Sequence, residues 1–161
     1  QVGRTLPGSF HTAALTTAIV LRPGESLTSD RVIEMCGSQV AAIIHFVYEI
    51  YKQTGSEEVI PEGYRGIWDE YCAHVEQMET PQDKRYLQLH NGHCTFLVPE
   101  ERRFVTPEAI QAACLVGEPE EIIHQIRAVE KAGLKEITLL PPMAAARAVF
   151  KDFSEQVMQR Y

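Results

Sequence analysis

The chain has 161 residues, 45% of them hydrophobic, and a net charge of -7. That length supports one domain with a core but falls short of the roughly 250 residues of a complete (β/α)8 barrel. The acidic balance, with basic residues no denser than the pairs Lys84-Arg85 and Arg102-Arg103, argues against nucleic acid as a partner.

Residues 1–12 contain Gly3, Pro7 and Gly8, show no period and read as a loop. Residues 13–21 form a short, β-branched apolar run stopped by Arg22-Pro23-Gly24, which predicts a strand buried on both faces. A long helix follows. Thr28 or Ser29 can cap it, Gly55 ends it, and Val32, Cys36, Val40, Ile43, Val47 and Ile50 make one apolar stripe. Residues 56–92 are irregular, with a short helix expected around Ile67, Trp68, Tyr71, Cys72 and Val75.

The run Cys94-Thr95-Phe96-Leu97-Val98 reads as a second strand closed by Pro99. Thr106-Pro107 opens a short helix with cap and proline in the expected order. Gly117-Glu118-Pro119-Glu120-Glu121 starts another helix, with Ile122, Ile126 and Val129 on its buried face and Gly133 as its stop. Residues 136–140 predict a third strand, ended by Pro141-Pro142. A last helix carries Ala146, Val149, Phe150, Phe153 and Val157 on one face.

This alternation predicts an α/β fold, with parallel strands joined by crossover helices. Three such strands with helices on one side leave an uncovered face and two free edges, which invite pairing with another chain. The cysteines Cys36, Cys72, Cys94 and Cys114 show no C-x-x-C spacing, which favours free thiols and a cytoplasmic location. No stretch reaches the length of a membrane span, and no membrane partner is expected.

Three segments carry a family resemblance: Thr16 to Glu25 with its L-x-P-G-E turn, His90-Asn91-Gly92-His93 with the run after it, and Leu115 to Leu140. The last pattern, V-G-x-P-E-E, helix, A-G-L-x-E-I-x-L-L, resembles the penultimate helix and last strand of luciferase-like monooxygenases and their deazaflavin-dependent reductase relatives. The resemblance implies the C-terminal part of a (β/α)8 TIM barrel. Residues 1–161 are then a single partial-barrel domain, with a loop over 1–15, the last βα units over 16–161 and an insertion at about 56–92. It also implies FMN or a deazaflavin coenzyme, a small-molecule substrate, and hydride transfer or flavin-supported oxygenation. The partner is the missing N-terminal barrel half or, in a homo-oligomer, a second copy.

His93 and His90 are the candidate catalytic residues, as proton donors or pocket walls. A G-H pair of this kind is a frequent feature of the deazaflavin-dependent relatives. A hydrogen-bonded loop is the plainer reading. As H-x-x-H the pair also has a metal-ligand spacing, but Asn91-Gly92 disfavours the helix that would align it. A further ligand from Glu100 or Glu101 would have to fold back, and no metal is assigned.

Glu25, just past a strand end, is a candidate cofactor contact, against a turn carboxylate paired with Arg22. Arg147 is a second, as a cation for an anionic group. The acidic start at Gly117-Glu118-Pro119 repels phosphate and reads as capping, and Tyr64, Trp68 and Tyr71 read as core more than as a cavity wall. No dinucleotide, Walker, zinc-protease or esterase motif is present. The rival reading is a non-catalytic assembly module that associates through open sheet edges.

Overall fold

A computed structural model describes residues 5 and 7–161. Gly3 of the expected N-terminal loop lies outside them.

The first strand comes in two pieces, β1 (Ala13–Thr16) and β2 (Ala18–Val20), divided at Thr17. β1 pairs in parallel with β4 (Glu136–Leu139), and β2 in parallel with β3 (Leu115–Gly117). Thr17 is where the partner changes. Its carbonyl accepts from Leu115 N–H at 2.9 Å, while its hydroxyl donates to the Leu140 carbonyl at 2.7 Å. Thr17 is fully buried, so both polar groups need those bonds. The arrangement is β4, then β1/β2, then β3, with the first strand in the middle. In a barrel, consecutive strands are neighbours. Here β3 and β4 flank the first strand instead of pairing.

The seven helices among the described residues are α1 (Asp30–Thr54), α2 (Glu62–Arg65), α3 (Trp68–Glu76), α4 (Arg85–Leu89), α5 (Pro107–Ala113), α6 (Pro119–Lys131) and α7 (Ala146–Gln156). Local chemistry sets the ends of α1. Ser29 Oγ accepts from Val32 N–H at 3.3 Å, and Gly55 takes the left-handed φ of 66° that closes the helix. Its buried stripe runs Val32, Cys36, Val40, Ile44, Val47 and Tyr48. Ile43 and Ile50 are only partly buried, because α1 is covered on several sides and its deepest line lies one position round.

The main core joins α1 to Tyr64, Trp68, Tyr71 and Val75 of α2 and α3, to Ile110 of α5 and to Ile19 of β2. Tyr64, Trp68 and Tyr71 are thus core residues. A smaller cluster holds Val20 against Ile122, Ile123 and Val157. Ile19 and Val20 point to opposite faces of their strand. Both faces at β2 are therefore covered, as expected of a strand buried on both faces and in contrast to the open face expected of a three-strand sheet. β1 fits the second expectation better, since it is partly exposed throughout and Leu15 is 53% exposed.

Two further expectations are corrected. Residues 94–98 are not a strand. Gly92 at φ 76° and Cys94 at φ 57° turn the chain back, and Gly92 O accepts from Thr95 and Phe96 N–H at 2.8 and 3.0 Å. The middle strand of the sequence pattern is instead Leu115–Gly117. In the last helix Phe150 is 49% exposed, whereas Val149 and Val157 are buried. None of the described helices is long and apolar enough to cross a membrane.

Candidate functional site

α1 presents His45 and Glu49 one turn apart, and the segment after α4 brings His90 and His93 against them. One ring nitrogen from each of His45, His90 and His93 lies within 4.8 Å of the others. Ring centroids are 5.5 Å apart for His45 and His90, 6.0 Å for His45 and His93, and 5.0 Å for His90 and His93. The burial is graded: His45 is buried, His90 half-buried and His93 exposed.

Two carboxylates define the tautomers. His45 Nε2 donates to Glu101 Oε1 at 2.7 Å, and His90 Nε2 donates to Glu49 Oε1 at 2.9 Å. A carboxylate only accepts, so both rings carry their hydrogen on Nε2 and, when neutral, a lone pair on Nδ1. His90 Nδ1 lies 3.2 Å from His93 Nδ1. Among the described residues His45 Nδ1, which is buried, has no partner, and neither has the buried Tyr71 hydroxyl. The Tyr71 ring is 6.4 Å from that of His45. Burial pushes the Tyr71 phenol far above its ordinary range, so it stays protonated at neutral pH. Burial, with His90 and His45 alongside, lowers the pKa of His93.

The structure thus brings the two sequence-predicted histidines together and adds His45, Glu49 and Glu101. The H-x-x-H pair is aligned by a turn and not by a helix, because His93 N–H returns to the His90 carbonyl at 3.1 Å. Glu101 does fold back, but onto His45. The available signal for His45 and Glu49 was a pair of polar residues spaced i, i+4 in the otherwise apolar stretch 40–51 of the helix.

Glu25 lies elsewhere, at the entrance to α1. Its carboxylate accepts from Arg31 Nε at 2.8 Å and from a second Arg31 nitrogen, from Arg22 N–H at 2.9 Å and from Ser29 Oγ at 3.2 Å. Arg31 also donates to the Val20 carbonyl at 3.0 Å, tying the turn to the strand end. The partner is thus the Arg31 side chain and the Arg22 backbone, with the carboxylate fully engaged. Those Arg31 bonds hold the Glu25 carboxyl at about 2 against the opposing effect of burial. This is below the ordinary 4.5, so the contribution is whole above about pH 4.5 and is lost as pH falls towards 2. Glu25→Gln is expected to flatten the loss of unfolding free energy between those pH values. Identical acid profiles for the variant and the parent protein, followed by urea denaturation, would refute the assignment.

Arg147 is exposed in the first turn of α7. The start of α6 is self-capped, with Glu118 N–H donating to Glu121 Oε2 at 2.8 Å. Cys36 and Cys114 are buried neighbours, and a hydrogen bond with Cys36 together with burial raises the Cys114 thiol. Comparison with known protein families, with curated proteins and with solved structures finds no match to this chain.

Proposed function

We propose that this chain is the C-terminal part of a flavin- or deazaflavin-dependent oxidoreductase, a luciferase-like monooxygenase or reductase. One observation carries the reading. The segment with the most specific family pattern folds as strand Leu115–Gly117, helix Pro119–Lys131 and strand Glu136–Leu139, with both strands parallel to the first. A (β/α)8 barrel is built from parallel strand–helix–strand segments of this kind, with the difference that its successive strands pair directly, whereas here the first strand lies between β3 and β4.

The sheet borders bear on the same reading. At β3, Gln125 occupies the outer edge: its amide donates to the Val116 carbonyl at 2.9 Å and accepts from Val116 N–H at 3.3 Å. A side chain there imitates a neighbouring strand. In a complete barrel β4 would leave β1, displace Gln125 and pair with β3. The described residues do not themselves fit a coenzyme phosphate, since α6 opens on Glu118, Glu120 and Glu121 and Glu25 is committed to Arg31. The proposal therefore assigns phosphate binding to strands outside the 161 residues.

The assembly-module reading keeps one specific support. An apolar groove of about 580 Å³ runs between α6 and α7 beside β4, lined by Ile126, Val129, Ile137, Phe153 and Val157. Fluorescence titration of FMN and of a deazaflavin into the intact gene product, with light scattering alongside, separates the two. Micromolar quenching supports the oxidoreductase. A well-folded dimer that quenches neither coenzyme overturns it in favour of assembly.

A further inference from the structure

We propose that His45, His90 and His93 form a binding site for one divalent transition-metal ion of the zinc type, with Glu101 and Glu49 as its supporting carboxylates. The inference is independent of the coenzyme reading. It rests on ring nitrogens already gathered at one point.

The donor set is the first argument. Three imidazoles suit zinc, cobalt, nickel or copper, and not magnesium or calcium, which take oxygen ligands. With zinc–nitrogen distances of about 2.0–2.1 Å, a tetrahedral site holds neighbouring nitrogens about 3.3 Å apart. The Nδ1 atoms of His90 and His93 are 3.2 Å apart. One nitrogen from each of the three rings falls within 4.8 Å of the others, so a small closing movement completes the set.

The second argument is the tautomers. A metal-bound histidine commonly donates its other N–H to a carboxylate, which orients the ring and makes its lone pair more basic. Glu101 does this for His45 and Glu49 for His90. The two Nδ1 lone pairs are thereby left for an electrophile. His93 can donate one hydrogen to His90. His45 Nδ1 then still has no partner, in a residue 1% exposed. An unpaired acceptor at that depth is costly, and a metal ion satisfies all three at once.

Charge gives the third argument. Three neutral imidazoles contribute none, while the carboxylates of Glu49 and Glu101 together balance a divalent ion. The exposed flank at His93 leaves a fourth position open to water or a small ligand, the arrangement of reactive rather than sealed zinc sites.

The test is calorimetric titration of chelator-treated full-length chain with Zn2+, with Co2+ as a spectroscopic probe. One equivalent should bind with micromolar or tighter affinity, and Co2+ should give the intense visible bands of tetrahedral coordination. Mg2+ should not compete. His93→Gln removes a ligand at the exposed edge, where folding is least at risk, and should weaken Zn2+ binding at least about 100-fold. Glu49→Gln should weaken it by about 10–100-fold. A folded chain that binds no stoichiometric Zn2+ at neutral pH overturns the proposal. So does a His93→Gln variant, shown folded by circular dichroism, that retains the parent affinity.

Discussion

Glu101→Ala is expected to lower the unfolding free energy of metal-free protein by about 1–3 kcal/mol, the usual cost of leaving a buried polar group without its hydrogen-bond partner. The His45 and Glu101 side chains are 1% and 5% exposed and meet at 2.7 Å. Among the described residues the carboxylate is the one hydrogen-bond partner of the His45 ring, since its Nδ1 is unpaired. Removing the carboxylate strands the whole imidazole, and either protonation state is then penalised by burial. The double variant His45→Leu and Glu101→Leu replaces both polar groups with apolar ones and should recover most of the loss. Urea denaturation at pH 7 in the presence of chelator reads both. A loss below about 1 kcal/mol for Glu101→Ala would show that water reaches His45 and replaces the lost bond.

Gly63→Ala is expected to cost about 1–3 kcal/mol, as overpacking does when no soft neighbour can yield. An added Cβ at Gly63 would lie 2.5 Å from the Glu108 carbonyl oxygen and 2.7 Å from the Ala112 Cβ. Both belong to α5, which crosses α2 at that point. A backbone carbonyl cannot swing aside as a long side chain can, so the two helices must separate. Their separation would also loosen Tyr64 and Ile110, both fully buried nearby in sequence. Gly66→Ala is the matched control. It has a helical φ of -65° and nothing within 4 Å of its added Cβ, so it should be neutral or stabilising by up to about 1 kcal/mol. Thermal unfolding of the two variants side by side checks the pair. Equal melting temperatures would mean that α2 and α5 do not pack this closely.

The parts of the fold legible in the sequence are those whose signals are local. Ser29 and Gly55 bracket α1, Thr106-Pro107 opens α5, and Gly117 to Glu121 opens α6, each through bonds spanning three or four residues. Residues 94–98 misled for the same reason. Four apolar residues and a threonine satisfy a strand or a turn equally well, and the choice fell to left-handed backbone at Gly92 and Cys94. Leu115–Gly117 is too short to show any period, and its strand character comes from pairing with β2.

The amino-acid order alone determined where most helices begin and end, that strands lie within residues 13–21 and 136–140, and that His90 and His93 share a turn. Helix caps and turns depend on neighbours a few residues away, and those are written in the order itself. Only the tertiary structure decided that the first strand is central, with β3 and β4 on opposite sides of it. It alone carried Glu101 across 56 residues to His45, and Glu49 across 41 to His90. Such contacts depend on how α1 rotates against its neighbours, and that angle is set by the summed packing of the core rather than by any one stretch of chain.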